Sequence, residues 1–177
     1  PYYRGVPRLL DLSPRSRLSN RAGKASLEHD VATLRETVLT PESTPKVLKD
    51  CEELLEREVR SKRGVSGVLV KGGFKVVKTF KPGFLQSVLA DLVPEFCDAL
   101  EPLHEEHKAS GKGSLGSYLA NNDGRAANLM LGITDDKASQ STNKTIKKVY
   151  NKLRPAAERN VRDALPGLSK LLDKYYS

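Results

Sequence analysis

Apolar residues recur along this 177-residue chain at steps of three and four, and the runs are punctuated by proline or glycine. That period draws one apolar stripe along a helix, and such a stripe is buried by packing helix against helix. Leu27, Val31, Leu34 and Val38 predict a helix from about Ser26 to Leu39, ended by Thr40-Pro41. Thr44 before Pro45 supplies a cap and first turn for the next helix, whose stripe is Val47, Leu48, Cys51, Leu54, Leu55 and Val59. Glu52, Glu53, Glu56, Arg57 and Arg60 fill its solvated face, and Gly64 closes it as a left-handed cap.

Ser66 opens a third predicted helix through Val68, Val70, Phe74, Val77 and Phe80. Gly72-Gly73 in its middle is costly for helix propensity and marks a close helix crossing. After the Lys81-Pro82-Gly83 turn, Leu85, Val88, Leu89 and Leu92 define a fourth helix, and Pro94 is expected to open a fifth running to about His107, kinked or broken at Pro102. Beyond the loop at Ser110 to Gly113 come a short helix from Leu115 to Ala120, a turn at Asn121 to Gly124, and a stripe of Ala126, Leu129, Met130 and Ile133. A short turn is expected at Thr134 to Asp136, a helix from Asn143, and one further short helix opening at each of Pro155 and Pro166. The scarcity of aromatics and the Leu, Val and Ala content favour helix packing over a β-sandwich. The expected fold is all-α, an irregular bundle of about eight to ten short helices with no fixed repeat.

Residues 1–26 differ from the rest. They carry Arg4, Arg8, Arg15, Arg17, Arg21 and Lys24 against Asp11 alone, a net +5 of the formal +8 of the whole chain. With Pro1, Gly5, Pro7, Pro14 and Gly23 and no helical period, this stretch lacks the apolar surface to fold alone. The expected organisation is an extended basic arm at 1–26, ordered by lying on a partner, and a helical domain at 27–177. An Arg- and Ser-rich, acid-poor start also suits the region downstream of a removed organellar presequence. Cys51 and Cys97 fall on apolar helix faces and are expected as buried free thiols of a reducing compartment. The apolar clusters at 65–77 and 84–93 are interrupted by Lys, Gln and Asp, so no segment of the chain is expected to span a bilayer.

The stretch SLGSYLANNDGRAANLMLGITDD at 114–136 and KVYNKLRPAAERNVRDALPGL at 148–168 give the chain a resemblance to a family. With the Leu-Arg-Glu-Thr segment at 34–37, the Gly-Val-Ser-Gly turn at 64–67 and Lys-Leu-Arg-Pro at 152–155, the chain resembles small uncharacterised helical proteins found mainly in actinobacteria. The resemblance covers roughly residues 30 to 172 and omits the arm. It implies an all-helical fold and carries no activity or site residues across; the added arm suggests a domain recruited into a new setting.

Three segments invite a chemical reading. His104-Glu105-Glu106-His107 places two histidines three apart on one helical face, yet matches neither HExxH nor its inverted order, and reads as a polar helix end. Gly111-Lys112-Gly113-Ser114 lacks the spacing of a phosphate loop and reads as a linker. Lys71, Lys75, Lys78 and Lys81 form a basic row expected opposite Phe74 and Val77, suited to anionic lipid or an acidic partner, and Lys144, Lys147, Lys148 and Lys152 form a second basic patch.

No catalytic constellation, metal site or cofactor is expected. The reading that follows is a non-catalytic structural or accessory subunit of a large organellar complex, with other protein subunits as partners. Its setting would be mitochondrial, peripheral to the inner membrane or in the matrix, in an assembly such as ATP synthase or a respiratory complex. Tyr2, Tyr3, Arg4, Arg8, Arg15, Arg17 and Arg21 of the arm are the expected partner contacts. The alternative is an RNA-binding accessory ribosomal protein whose Arg-rich arm neutralises phosphates; a bacterial cytoplasmic setting is the alternative location.

Overall fold

The computed structural model describes residues 32–176. The arm residues Tyr2, Tyr3, Arg4, Arg8, Arg15, Arg17 and Arg21, and the stripe positions Leu27 and Val31, lie outside the described residues. Within them the chain forms α1 (Leu34–Val38), α2 (Thr44–Ser61), α3 (Gly64–Phe80), α4 (Phe84–Ser110), α5 (Leu115–Asn121), α6 (Asp123–Gln140) and α7 (Lys144–Leu153). A 3-10 turn (Arg154–Ala156) then leads into α8 (Ala157–Tyr175). The all-α class is therefore the one the periodicity predicts, and no strand is present among the described residues.

Local chemistry fixes several ends. Thr33 accepts a side-chain hydrogen bond from the Glu36 N–H, and Glu36 accepts one from the Thr33 N–H at 2.9 Å, so a reciprocal cap starts α1 at Leu34, while the expected start near Ser26 lies outside the described residues. In α2 the cap position belongs to Ser43, one residue before the expected Thr44, while Pro45 sits in the first turn. Asn143 caps α7 through its side-chain oxygen, which accepts the Ile146 N–H at 3.0 Å.

The largest departure from the expected boundaries is α4. The predicted fourth and fifth helices are one 27-residue helix, about 40 Å long, that runs through both Pro94 and Pro102. Each proline removes one backbone hydrogen bond, to Ala90 or to Asp98, and both of those residues are exposed. Water can take over on that side, while Leu85, Leu89, Val93, Cys97, Leu100 and Leu103 form an unbroken buried row on the other. The same logic places Pro166 inside α8 instead of at the start of a helix. Asp135 and Asp136, expected in a turn, continue α6 to Gln140.

Around the α4 spine the core is closed by Leu34 and Val38 of α1, Val47 and Leu54 of α2, Leu115 and Leu119 of α5, and Leu165 and Leu172 of α8. Each such side chain contributes about 1.5 to 3 kcal/mol on burial. α5 and α8 meet most closely at Gly116, whose N–H donates to Asp173 Oδ1 at 2.8 Å. A Cβ at position 116 would stand 2.5 Å from the Ser169 carbonyl oxygen, so only glycine allows this approach.

Candidate docking face

The sequence-predicted cluster at 104–107 turns out to hold the bundle together. Glu101 accepts the Leu34 N–H at 2.8 Å through one oxygen and meets His104 Nδ1 at 2.9 Å with the other. His104 Nε2 lies 2.8 Å from the Tyr176 hydroxyl, so this 1 % exposed histidine links α1, α4 and the end of α8. With Glu101 ionised, Nδ1–H donates to the carboxylate and Nε2 accepts from the tyrosine. His107 is not a co-ligand of His104: its Nε2 donates to the Gly113 carbonyl at 3.1 Å, and its Nδ1 is buried without a hydrogen-bond partner among the described residues. Glu101, His104 and Glu105 bring ligand-type atoms within 4.8 Å of one another. Glu101 and His104 are nevertheless already committed to neighbours within the bundle, which gives the trio a structural use.

Glu106 serves the same purpose on the outer side of α4. Both terminal nitrogens of Arg125 donate to it at 2.8 Å, and the Tyr118 hydroxyl donates at 3.0 Å. The guanidinium and then the hydroxyl hold its carboxyl down to about 2. Asp135 accepts two bonds from Arg154, at 2.7 and 2.9 Å, and one from Tyr150 at 2.6 Å, joining α6 to the turn after α7. The Cys51 and Cys97 thiols are pushed up by burial, to about 11 and about 12, which leaves both protonated and unreactive near neutrality.

α3 is different in kind. Gly64 adopts φ +69°, but it does not close α2: that helix ends at Ser61 with an extended cap residue at Lys62, and Gly64 is the left-handed first residue of α3, which corrects the expected cap. Gly67 then lies against the backbone of Lys62, where a Cβ would stand 2.7 Å from the carbonyl carbon. Further along, a Cβ on Gly73 would meet Leu153 at 2.8 Å and Val149 at 3.2 Å, whereas Gly72 faces open space. The expected close crossing is therefore made by Gly73 alone, against α7.

The apolar residues of α3 divide between two faces. Phe74 and Val77 pack on the core. Val65, Val68, Leu69 and Phe80 are instead exposed, at 90 %, 73 %, 40 % and 41 %, and recur at helical spacing as a second, outward row. The expected single stripe through Val68, Phe74, Val77 and Phe80 is thus corrected to two rows, only one of them covered by the described residues. The lysines lie beside Phe74 and not opposite it. Lys78 Nζ sits 5.8 Å from the Phe74 ring centroid and pairs with Glu56, while Lys71 and Lys75 border a shallow groove between α2 and α3. Lys81 lies past the helix end, its Nζ 6.0 Å from the centroid of Phe84.

A family model described as a family of unknown function, DUF6918, matches residues 34–176. The chain belongs to this family. The DUF6918 match begins at the first residue of α1 and takes in every described helix, so the family unit is the helical bundle itself. No curated protein and no solved structure matches the chain. The three short segments that carried the resemblance are joints of the DUF6918 bundle: Leu34 at the Glu101 contact, Gly64 to Gly67 at the α2 to α3 corner, and Arg154 at Asp135. The outward row of α3 went unseen in the sequence, because the same period marks covered and uncovered apolar faces alike.

Proposed function

We propose that this protein is a non-catalytic accessory subunit that docks on a larger, membrane-associated assembly. The observation that carries this reading is the outward row of Val65, Val68, Leu69 and Phe80 on a helix without any acidic residue. An apolar row that the described residues leave exposed supports a surface covered by another molecule. The titratable clusters support the same reading, because Glu101, His104, Glu106 and Asp135 are each engaged in fastening helices together. No described helix is long and apolar enough to cross a membrane, so attachment would be at its periphery.

Within this reading, the setting is an inner-membrane machine of the mitochondrion such as ATP synthase or a respiratory complex, with the arm at 1–26 laid over neighbouring subunits. The RNA reading finds less support. Arg35, Arg125, Arg154 and Arg162 are paired with Asp98, Glu106, Asp135 and Asp123 and so are not free to neutralise phosphates.

The test is native-gel separation of gently solubilised membranes from cells making the full chain, with and without nuclease, followed by mass spectrometry. Migration with a large membrane complex, unchanged by nuclease, is the expected result. Nuclease-sensitive migration would move the assignment to RNA, and a free low-mass band would overturn it.

A further inference from the structure

We propose that the outward row of α3 seats on an anionic bilayer surface, its valines, leucine and phenylalanine among the headgroups and Lys71 and Lys75 against lipid phosphates, while Lys78 stays paired with Glu56. This deepens the accessory-subunit reading and rests on it, by naming what covers the face.

Charge complementarity selects the occupant. α3 and its neighbour α7 together hold seven lysines and no acidic residue, whereas the rest of residues 32–176 holds 17 cationic against 19 acidic residues. The pair of α3 and α7 is therefore strongly cationic while the remainder of the described residues is slightly acidic. The two helices are packed together at Gly73 against Val149 and Leu153, so the cationic pair is a single structural unit. On a 3.6-residue wheel the row of Val65, Val68, Leu69, Gly72, Val76 and Phe80 forms one face, with Lys71, Lys75 and Lys78 along one border of it. An apolar row bordered by lysines is the arrangement that lies in a headgroup layer, where long stems reach sideways to phosphates while the row enters the acyl boundary.

Shape favours the same occupant. Val65 and Val68 stand proud of the surface as the crest of a helix. A fluid headgroup layer conforms to a convex crest without a preformed groove, whereas a protein partner would need a matching concavity. Anionic lipid also adds a favourable term for each lysine brought near it, and that term weakens with salt.

The chain has no tryptophan, so a single introduced one reports its own surroundings. Val68→Trp places the reporter on the crest, and Asn128→Trp places it on an exposed position of α6. Full-length variants would be mixed with phosphatidylcholine vesicles with and without phosphatidylglycerol, following emission wavelength and vesicle flotation. The expected result is a blue shift at position 68 on the anionic vesicles alone, with none at position 128. Substituting Val65, Val68 and Leu69 by serine, which leaves the charge unchanged, is expected to lower partitioning about tenfold or more. No shift at position 68, an equal shift on neutral vesicles, or equal shifts at both positions would overturn the proposal; flotation on anionic vesicles with no shift at position 68 is adsorption through another surface, such as the basic stretch at 1–26. Absence of vesicle binding with retained migration in the native gel would assign the crest to a protein and leave the subunit reading standing. Vesicle binding without such migration would retain the lipid contact and remove the subunit reading.

Discussion

Gly73 of α3 and Leu153 of α7 approach so closely that a Cβ on the glycine would stand 2.8 Å from Leu153 Cδ1. Its neighbour Gly72 has nothing within 4 Å of the same position. Two adjacent glycines thus have opposite sensitivities. Gly72→Ala is expected to raise stability by about 0.5 to 1 kcal/mol, from helix propensity alone. Gly73→Val is expected to cost about 1 to 3 kcal/mol by driving a branched side chain into Val149 and Leu153. Urea denaturation of the two variants measures both, and equal effects would exclude the crossing.

Gly116 tests the α5 to α8 joint. Its N–H donates to Asp173 Oδ1, and Ser114 Oγ donates to Asp173 Oδ2 at 2.8 Å. Gly116→Ala is expected to destabilise by about 1 to 3 kcal/mol, because the Ser169 carbonyl that its Cβ meets is backbone and cannot turn aside. Asp173→Ala is expected to cost about 1 to 2 kcal/mol through the lost acceptors. A thermal melt that leaves both variants at the parent midpoint would contradict this joint.

The cysteines give a reading of the folded core. Burial pushes Cys51 up to about 11 and Cys97 up to about 12, so neither forms appreciable thiolate at pH 8. A thiol-exchange reagent at that pH is expected to modify neither residue in the native protein and both in denaturant. Rapid native labelling at Cys97 would show that the α4 spine opens locally.

Acid is expected to loosen the bundle in a defined range. The Glu106 carboxyl, ordinarily near 4.5, is lowered to about 2 by Arg125 and then Tyr118, so folding favours its ionised form. A group lowered in the fold contributes its full stabilisation above its unfolded value and loses it as pH falls through the folded value. Asp50, Asp123 and Asp135 are lowered in the same direction by Lys174, Arg162 and Arg154. The melting midpoint is therefore expected to fall between about pH 4.5 and 2, more steeply for the parent than for Glu106→Gln. Parallel profiles for the two proteins would remove Glu106 from the acid response.

How far the sequence reaches is clearest along α4 and α3. Local signals determined that the chain is helical, that a break falls at Thr40-Pro41, that Asn143 opens a helix and that Gly64 turns left-handed, because capping and backbone preferences act over a few residues. Pro94 and Pro102 misled for the same reason: as local signals they break helices, and only the continuous burial from Leu85 to Leu103 carries α4 through them. The pairings of Glu101 with Leu34, Asp173 with Gly116 and Asp135 with Arg154 join different elements brought near by the fold, and no spacing announces them. Most telling is α3, where one 3.6-residue period runs through Phe74 and Val77 as well as Val68 and Phe80. Periodicity reports which residues share a helix face. Which face is covered depends on where the other helices lie, and that was decided by the tertiary structure alone, when α2, α4 and α7 packed on α3 and left Val65, Val68, Leu69 and Phe80 exposed among the described residues.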